Sequence, residues 1–241
     1  MHLTARLAAL AVAAAAAPAL ADSTNGPDPY AAGYGFDTPQ TASWGAWTRG
    51  VGDSIYAEWD TFVEASYAGA RTAAADVGSY NASDVYAGWN AGTFPAGSGN
   101  LYSFSVSEQF TLNLTNTTLS GPIRAVLQTE GWGMDIDLSS VKLNGIAATS
   151  SALTYSEPNY QSSFGAVALN QRTFIWELDA APTSYQFYFD TGSQHSMSLA
   201  QVSVDIGQVA AVPEPSQWAL MLCGMAAVAG IARRRQRSSQ Q

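Results

Sequence analysis

Phe110-Thr111-Leu112-Asn113-Leu114 alternates apolar and polar side chains, and this pattern indicates the fold class of the chain. A period of two places one set of side chains on each face of a β-strand, with the apolar set turned to a core. The same alternation recurs in residues 102–106, 174–178 and 185–189. These segments predict half-buried strands rather than amphipathic helices.

Further strand candidates are separated by short clusters of glycine and proline, which is typical of all-β proteins. We expect an antiparallel β-sandwich with jelly-roll-like connections, and a barrel of the same class is the alternative. Asn144-Gly145 predicts a hairpin turn. The apolar parity changes between Leu199 and Val202, which predicts a β-bulge or a bend. The further strand candidates are residues 55–62, 123–129, 141–143, 164–169 and 197–206.

Charge and cysteine content exclude several classes of function. Residues 22–211 hold 18 acidic and 5 basic side chains, a net charge near −13. Nucleic-acid binding needs clustered Lys and Arg against the phosphates, so we exclude nucleic acid as a partner. The single cysteine, Cys223, lies in the C-terminal apolar segment. Disulfides, zinc–thiolate sites and cysteine nucleophiles are therefore excluded from residues 22–211.

The C-terminal segment combines three features. The block Val212-Pro213-Glu214-Pro215 precedes an uncharged run of 15 residues, 218–232. The prolines keep the block extended, and the run corresponds to roughly 22 Å of helix against about 30 Å for a bilayer core. Arginine stems extend the reach of such a run and keep its end on the cytoplasmic side. The arginines that follow it are Arg233, Arg234, Arg235 and Arg237.

This three-part tail resembles the PEP-CTERM sorting tail of Gram-negative bacteria that make exopolysaccharide. The resemblance implies that exosortase, a membrane transpeptidase-like protease, recognises the tail and cleaves near Pro213-Glu214-Pro215. It covers about thirty of the 241 residues. It implies a destination for the protein and leaves the remaining residues to be interpreted on their own.

The N-terminal residues predict a signal peptide. Arg6 precedes an alanine- and leucine-rich stretch, residues 7–17, and Ala19-Leu20-Ala21 is a small-x-small site with cleavage after Ala21. Both ends therefore predict export, with transient anchoring in the inner membrane and delivery to the cell surface or extracellular matrix. The expected segments are a signal peptide (1–21), an exported β domain (22–207, with 22–53 largely loop), a proline-containing linker (208–217), a transmembrane helix (218–232) and a basic cytoplasmic tail (233–241).

Side chains for catalysis are sparse in the exported region. His195 is its single histidine, with Ser193 and Ser196 nearby, and we interpret it as a turn residue before the last strand. Glu58 and Asp60 would share one face of a strand. Neighbours about 7 Å apart on one strand do not oppose each other across a glycosidic bond. We expect solvent-facing carboxylates and no catalytic role, with a glycoside hydrolase as the enzyme alternative.

Two further pairs of residues are candidates for binding. Trp89 and Trp132 lie beside glycine or asparagine, and exposed indole rings there could stack on sugars; the alternative is that both fill the core. Asp135 and Asp137 are candidates for a calcium site, and no cofactor is required. We therefore expect a non-enzymatic component of the cell surface or of an exopolysaccharide (biofilm) matrix. A carbohydrate-binding β-sandwich, calcium-dependent or not, is the alternative.

Overall fold

The computed structural model describes residues 25–45, 47–63, 71–209, 221 and 223–225. The chain divides into two units, residues 1–209 and 210–241, and the strands all lie in the first. They are β1 Ser54–Trp59, β2 Thr72–Ala74, β3 Val77–Tyr80, β4 Ala82–Trp89, β5 Phe94–Pro95, β6 Leu101–Tyr102, β7 Gln109–Asn116, β8 Ile123–Gly133, β9 Lys142–Leu143, β10 Ile146–Ala147, β11 Ser150–Ser162, β12 Gly165–Leu178, β13 Ser184–Asp190 and β14 Met197–Gln208.

The strands form two antiparallel sheets. Sheet A has the order β11-β12-β8-β14-β1-β3, and its strand β14 also pairs with β6, which in turn pairs with β5. Sheet B has the order β10-β9-β13-β7-β4-β2. Strands β1 and β14, which are far apart in sequence, are neighbours in sheet A. Each has a partner strand on both sides, so neither presents unpaired backbone groups at an edge of the sheet.

One hydrophobic core receives side chains from both sheets. Trp59 and Trp176 of sheet A and Phe110 and Phe187 of sheet B are fully buried in the same cluster. The rings of Trp176 and Phe187 meet edge to face with centroids 5.4 Å apart, a favourable aromatic geometry. Both core tryptophans of sheet A also donate their indole N–H to a backbone carbonyl, so burial leaves neither donor unsatisfied.

The sequence pattern predicts half of these strands correctly, since the strand candidates fall in β1, β7, β8, β9, β12, β13 and β14. Residues 110–114, 174–178 and 185–189 lie in β7, β12 and β13. The predicted hairpin turn at Asn144-Gly145 is confirmed, with φ of 49° and 80° between β9 and β10. The predicted irregularity in β14 is also confirmed, since its register with β8 shifts between Leu199 and Gln201.

Two parts of the strand prediction are wrong. Of residues 102–106, only Tyr102 is in a strand, and the residues that follow it form a bend. The prediction also misses strands, among them β4 and β11, of which β11 has 13 residues and is largely exposed. Serine, threonine and asparagine are frequent in β11, so it lacks the apolar alternation that identifies a half-buried strand.

Several predicted segments lie outside the described residues. They include the signal peptide with Ala19 and Ala21, the block Val212–Pro215, and the arginines at 233–235 and 237. Of the predicted membrane helix, Met221 and residues 223–225 are described, and they are helical. In the described part of the chain, no helix has the length and apolar character needed to span a bilayer.

Candidate functional site

The face of sheet A opposite the core carries polar side chains in cross-strand rows. Ser203 of β14 pairs with Glu58 of β1 and with Gln128 of β8, and in the next row Gln201 pairs with Glu130. Paired residues of antiparallel strands project from the same face of the sheet. All five side chains are nevertheless buried. The described part of residues 25–49 contacts these rows and forms a cover over a polar layer.

Arg49 attaches one end of this cover to the sheet. Its Nε and Nη2 donate to the two carboxylate oxygens of Asp205 at 2.8 and 2.5 Å, and its guanidinium lies 3.9 Å from the centroid of the Tyr56 ring. Tyr30, within the cover, donates its hydroxyl to Glu58 at 3.1 Å. Bidentate Arg–carboxylate pairing and a cation–π contact are strong when shielded from water, so this group is a structural clamp.

Two glutamines of sheet A bind the backbone of the cover. Gln128 accepts from the Asp37 N–H at 2.8 Å and donates to the Asp37 carbonyl at 2.9 Å. Gln171 accepts from the Gly35 N–H at 2.5 Å and donates its amide to Glu130. Side-chain amides, with both a donor and an acceptor, satisfy backbone groups that no strand partner reaches.

Burial raises the pKa of the carboxyl groups in this layer. Desolvation, followed by the charge of Asp60, raises the pKa of Glu58 to about 8. Desolvation also raises the pKa of Glu130 to about 7, opposed by the hydrogen bond from Gln171. Glu58 and Asp60 are fully buried. The expectation that they face solvent is therefore wrong, because the cover over sheet A cannot be seen in a strand pattern.

A cluster of aromatic rings lies beyond the covered polar rows of sheet A. Phe104 and Phe164 are 61% and 70% exposed, although large aromatic side chains are normally withdrawn from water. Two adjoining cavities, of about 550 and 420 Å³, open along this cluster. We call this surface the aromatic cleft; its rings are Phe94, Tyr102, Phe104, Trp132, Tyr160 and Phe164.

The rings of the aromatic cleft hold one another in fixed orientations. Tyr102 stacks on Phe164 with centroids 5.6 Å apart and planes inclined by 13°. Phe104 meets Tyr102 edge to face at 4.8 Å, and Trp132 contacts Tyr160 at 5.4 Å. Such pairs add roughly 0.5–1.5 kcal/mol beyond the area they bury. The cleft is therefore a preformed surface of flat apolar rings.

Strand register places these rings together. Ser198 of β14 pairs on one side with Trp132 and on the other with Tyr102, which itself pairs with Phe94. In a regular strand, residues three apart such as Ser198 and Gln201 would project from opposite faces of the sheet. Because the register shifts between Leu199 and Gln201, both side chains face the outer side of sheet A. The bulge therefore aligns the aromatic row with the polar rows.

The hairpin turn between β11 and β12 places Phe164 in the aromatic cleft. Ser162 pairs with Gly165, which leaves Ser163 and Phe164 as the turn. Gly165 has φ of 102°, a conformation that only glycine adopts without strain. The Ser162 hydroxyl accepts from the Phe164 N–H at 3.1 Å. This hydrogen bond fixes the conformation of the turn, in which the Phe164 ring stacks on the ring of Tyr102.

A polar rim adjoins the rings. The turn before β14 lines the larger cavity with Gln194, His195 and Ser196. Ser196 has φ of 73°, and its N–H donates to the buried Glu108 carboxylate at 3.1 Å. The Thr191 hydroxyl donates to the same carboxylate, also at 3.1 Å. Glu108 therefore fixes this turn, and its burial raises its pKa.

His195 lies in that turn, as predicted, and is exposed. Its Nδ1 is 2.8 Å from Ser196 Oγ, which is the distance of a nucleophile from its base. Among the contacts of the described residues, no carboxylate hydrogen-bonds His195. The third member that orients the imidazole in a catalytic triad is therefore not part of this arrangement.

The two predicted tryptophans have different positions. Trp132 is half-buried and lies in the aromatic cleft. Trp89 is 8% exposed and belongs to the hydrophobic core. The expectation that Trp89 presents an exposed ring is therefore wrong, because it lies on β4 two residues after the core residue Ala87 and shares its face.

The two aspartates proposed for calcium lie in the loop that follows β8, before the turn at residues 138–140. Asp135 forms a two-bond ion pair with Arg172, with Nη2 to Oδ2 at 2.6 Å. Asp137 accepts the Ser139 N–H and hydroxyl at 2.9 and 2.7 Å, which lowers its pKa. In the described ranges, no group of three His, Cys, Asp or Glu side chains is arranged to hold a metal ion.

Sequence reasoning misses most of the aromatic cleft. The alternation predicts Tyr102 and Phe104 in a core-facing strand, and Phe164 at the start of another. The one available signal is position: Phe164 is followed by glycine and preceded by two serines, a pattern typical of an exposed hairpin turn.

Comparison of the chain with models of protein families, with curated proteins and with solved structures finds no match.

Proposed function

We propose that this chain is an exported, non-enzymatic component of the cell surface or exopolysaccharide matrix, and that its β domain binds polysaccharide through the aromatic cleft. The observation that carries the binding proposal is the exposure of Phe104 and Phe164, which pack with the half-buried ring of Tyr102 beside two cavities that Trp132 also lines. A large exposed apolar patch on a soluble domain marks an interaction surface.

The chemistry of the cleft suits a sugar chain. A pyranose ring has apolar C–H faces that stack on flat aromatic rings and hydroxyl groups at its edge that need hydrogen-bond partners. The rings of Trp132 and Phe164 supply the first, and the rim side chains Gln194 and Gln161 supply the second. Binding sites of this kind combine an apolar lining with few polar groups that fix orientation.

Binding of neutral oligosaccharides from bacterial exopolysaccharides, measured by glycan array and then by calorimetry, tests the cleft. We expect Trp132→Ala and Phe164→Ala each to weaken binding by about tenfold, since stacking on an exposed ring contributes about 1–2 kcal/mol. Leu153→Ala is the matched control, because Leu153 is exposed on β11 and does not line the cleft. Equal affinities of the variants and the wild type would contradict the proposal.

The proposed destination rests on the C-terminal tail. We propose that exosortase recognises the block Val212-Pro213-Glu214-Pro215 while the following apolar run holds the chain in the membrane. Replacing Pro213, Glu214 and Pro215 with alanine should abolish processing, measured by cell fractionation and by the intact mass of the product.

A matched control for the tail replaces three polar residues beyond the arginines. Alanine at positions 238–240, which are Ser-Ser-Gln, leaves the block, the apolar run and the arginine cluster unchanged. Processing and location of this control should equal those of the wild type. Unchanged mass and location after replacement of Pro213, Glu214 and Pro215 would contradict the proposed destination.

Two finer points belong to the same proposal. We propose that the two sheets form a jelly-roll-like sandwich, which the position of β14 between β1 and β8 supports. Binding is proposed to need no cofactor. The alternative of calcium-dependent binding is tested by repeating the calorimetry with a chelator, where a loss of affinity would support a calcium site.

A further inference from the structure

Sheet B carries a second groove on its outer face, away from the core. Its cavity of about 480 Å³ is lined by Thr72, Tyr86, Thr111, Asn113 and Tyr188, among others. Their strand neighbours Ala73, Leu112 and Phe187 are buried in the core, so the lining side chains project outward. The groove is separate from the aromatic cleft, which lies on sheet A.

The floor of the groove is a polar row that crosses the sheet. Thr72 pairs with Gly88, Gly88 with Thr111, and Thr111 with Tyr188. A Cβ at Gly88 would lie 2.9 Å from Thr111 Oγ1. Glycine at this position therefore avoids a close contact with Thr111 and leaves the middle of the groove floor open. Beside this row, Gln186 donates to Asn113 Oδ1 at 3.1 Å. The face thus presents hydroxyl and amide groups with spare hydrogen-bonding capacity.

The cations of the domain are distributed unevenly with respect to this groove. Three arginines are paired with carboxylates: Arg49 with Asp205, Arg124 with Glu177 and Arg172 with Asp135. Arg71 and Lys142, the two remaining cations of residues 22–211, form no ion pair with any residue that the structure describes. Both are exposed.

These two cations lie at opposite ends of the polar row. Arg71 lines the groove and immediately precedes Thr72, while Lys142 pairs with Tyr188 at the other end. Four strand spacings separate Thr72 from Lys142, or about 19 Å. No carboxylate lines the groove along the described chain; Asp190, which lies beside it, accepts from the Tyr188 hydroxyl at 2.6 Å.

We propose that this groove binds an anionic polysaccharide, with carboxylate groups of the sugar chain held by Arg71 and Lys142 and its hydroxyl groups by the polar row. Two cations at the ends of an extended groove complement a polymer with spaced negative charges. The net charge of the domain repels polyanions elsewhere, so attraction is confined to this face. This inference goes beyond the proposed function, which uses the other sheet.

Binding of oligogalacturonate and of its methyl ester to the intact purified chain tests the inference by calorimetry. We expect the carboxylate form to bind, the neutral ester to bind about tenfold more weakly, and added salt to weaken the difference between them. Arg71→Gln with Lys142→Gln should reduce carboxylate binding to the level of the ester. Lys142→Glu should reduce it further, because it places a negative charge beside Tyr188, at one end of the polar row.

Two controls separate this site from the aromatic cleft. Trp132→Ala should leave oligogalacturonate binding unchanged while it weakens binding of neutral glycans, so the two proposals can fail independently. Thermal unfolding of each variant checks that the exposed substitutions leave the fold intact. Equal binding of acid and ester, absence of binding to the acid, or equal binding of a DNA oligonucleotide of similar charge would each overturn the inference.

Discussion

Arg49 holds both carboxylate oxygens of Asp205, with distances of 2.8 Å from Nε to Oδ1 and 2.5 Å from Nη2 to Oδ2. Asp205 lies on the central strand β14, whereas Arg49 ends the segment that covers the outer face of sheet A. The side chains of both residues are almost completely buried. The pair therefore joins an irregular segment to a strand that is buried along nearly its whole length.

Removal of this clamp should destabilise the domain strongly. Arg49→Met leaves the Asp205 carboxylate buried without a counter-charge, which costs about 3–5 kcal/mol. Urea unfolding followed by tryptophan fluorescence measures the change. Arg124→Met is the control, because the Arg124–Glu177 pair is partly exposed and its loss should cost less than about 1 kcal/mol. Equal losses in the two variants would show that burial of the pair is not what matters.

Glu130 should make stability depend on pH. Its pKa is raised to about 7 in the folded protein, so its stabilising contribution is complete below the ordinary glutamate pKa and is lost as pH rises through 7. The loss amounts to about 3 kcal/mol. Glu130→Gln removes this dependence, and the stability of the wild type relative to the variant should fall as pH rises from the ordinary glutamate pKa to about 7. Parallel pH profiles would contradict the prediction.

Gly165 should couple the hairpin turn to ligand binding. Gly165→Ala introduces no steric clash, since nothing lies within 4 Å of the added Cβ, but φ is 102°. The strained backbone costs about 1–3 kcal/mol or shifts the turn and displaces the Phe164 ring. We expect weaker glycan binding, measured by calorimetry, together with a lower unfolding free energy. Gly97→Ala, with open space and no positive φ, is the control for stability.

Two phenylalanines should respond differently to the same truncation. Phe187→Ala opens a cavity in the core shared by the two sheets and should cost about 3–5 kcal/mol of stability. Phe164→Ala removes a ring that is 70% exposed and loses its stacking on Tyr102, so it should cost no more than about 1.5 kcal/mol. Denaturant unfolding measures both. A large stability loss from Phe164→Ala would mean that its ring supports the fold rather than a ligand.

The all-β class, the five strands β7, β8, β12, β13 and β14, one hairpin turn and the bulge in β14 could be predicted from the sequence. Each depends on neighbours within a few residues, such as the alternation around Leu112 or the Asn144-Gly145 pair. Of the candidate site, only Trp132 could be predicted. Phe94, Tyr160 and Phe164 come from separate strands and turns, so no local pattern relates them to Trp132. The alternation at Tyr102 and Phe104 predicts a core-facing strand instead.

Residue type and short spacing are enough to predict the period-two strands, the acidic net charge, the cysteine-free β domain and the sorting signals expected at the two ends. They are not enough to predict which carboxylates are buried and which rings remain exposed. Glu58 and Trp89 are expected at the surface from their local sequence, yet each is enclosed by chain distant in sequence. Phe164 is apolar, yet a two-residue turn holds it in solvent. Burial is a property of what covers a residue, and pairing between distant strands sets that.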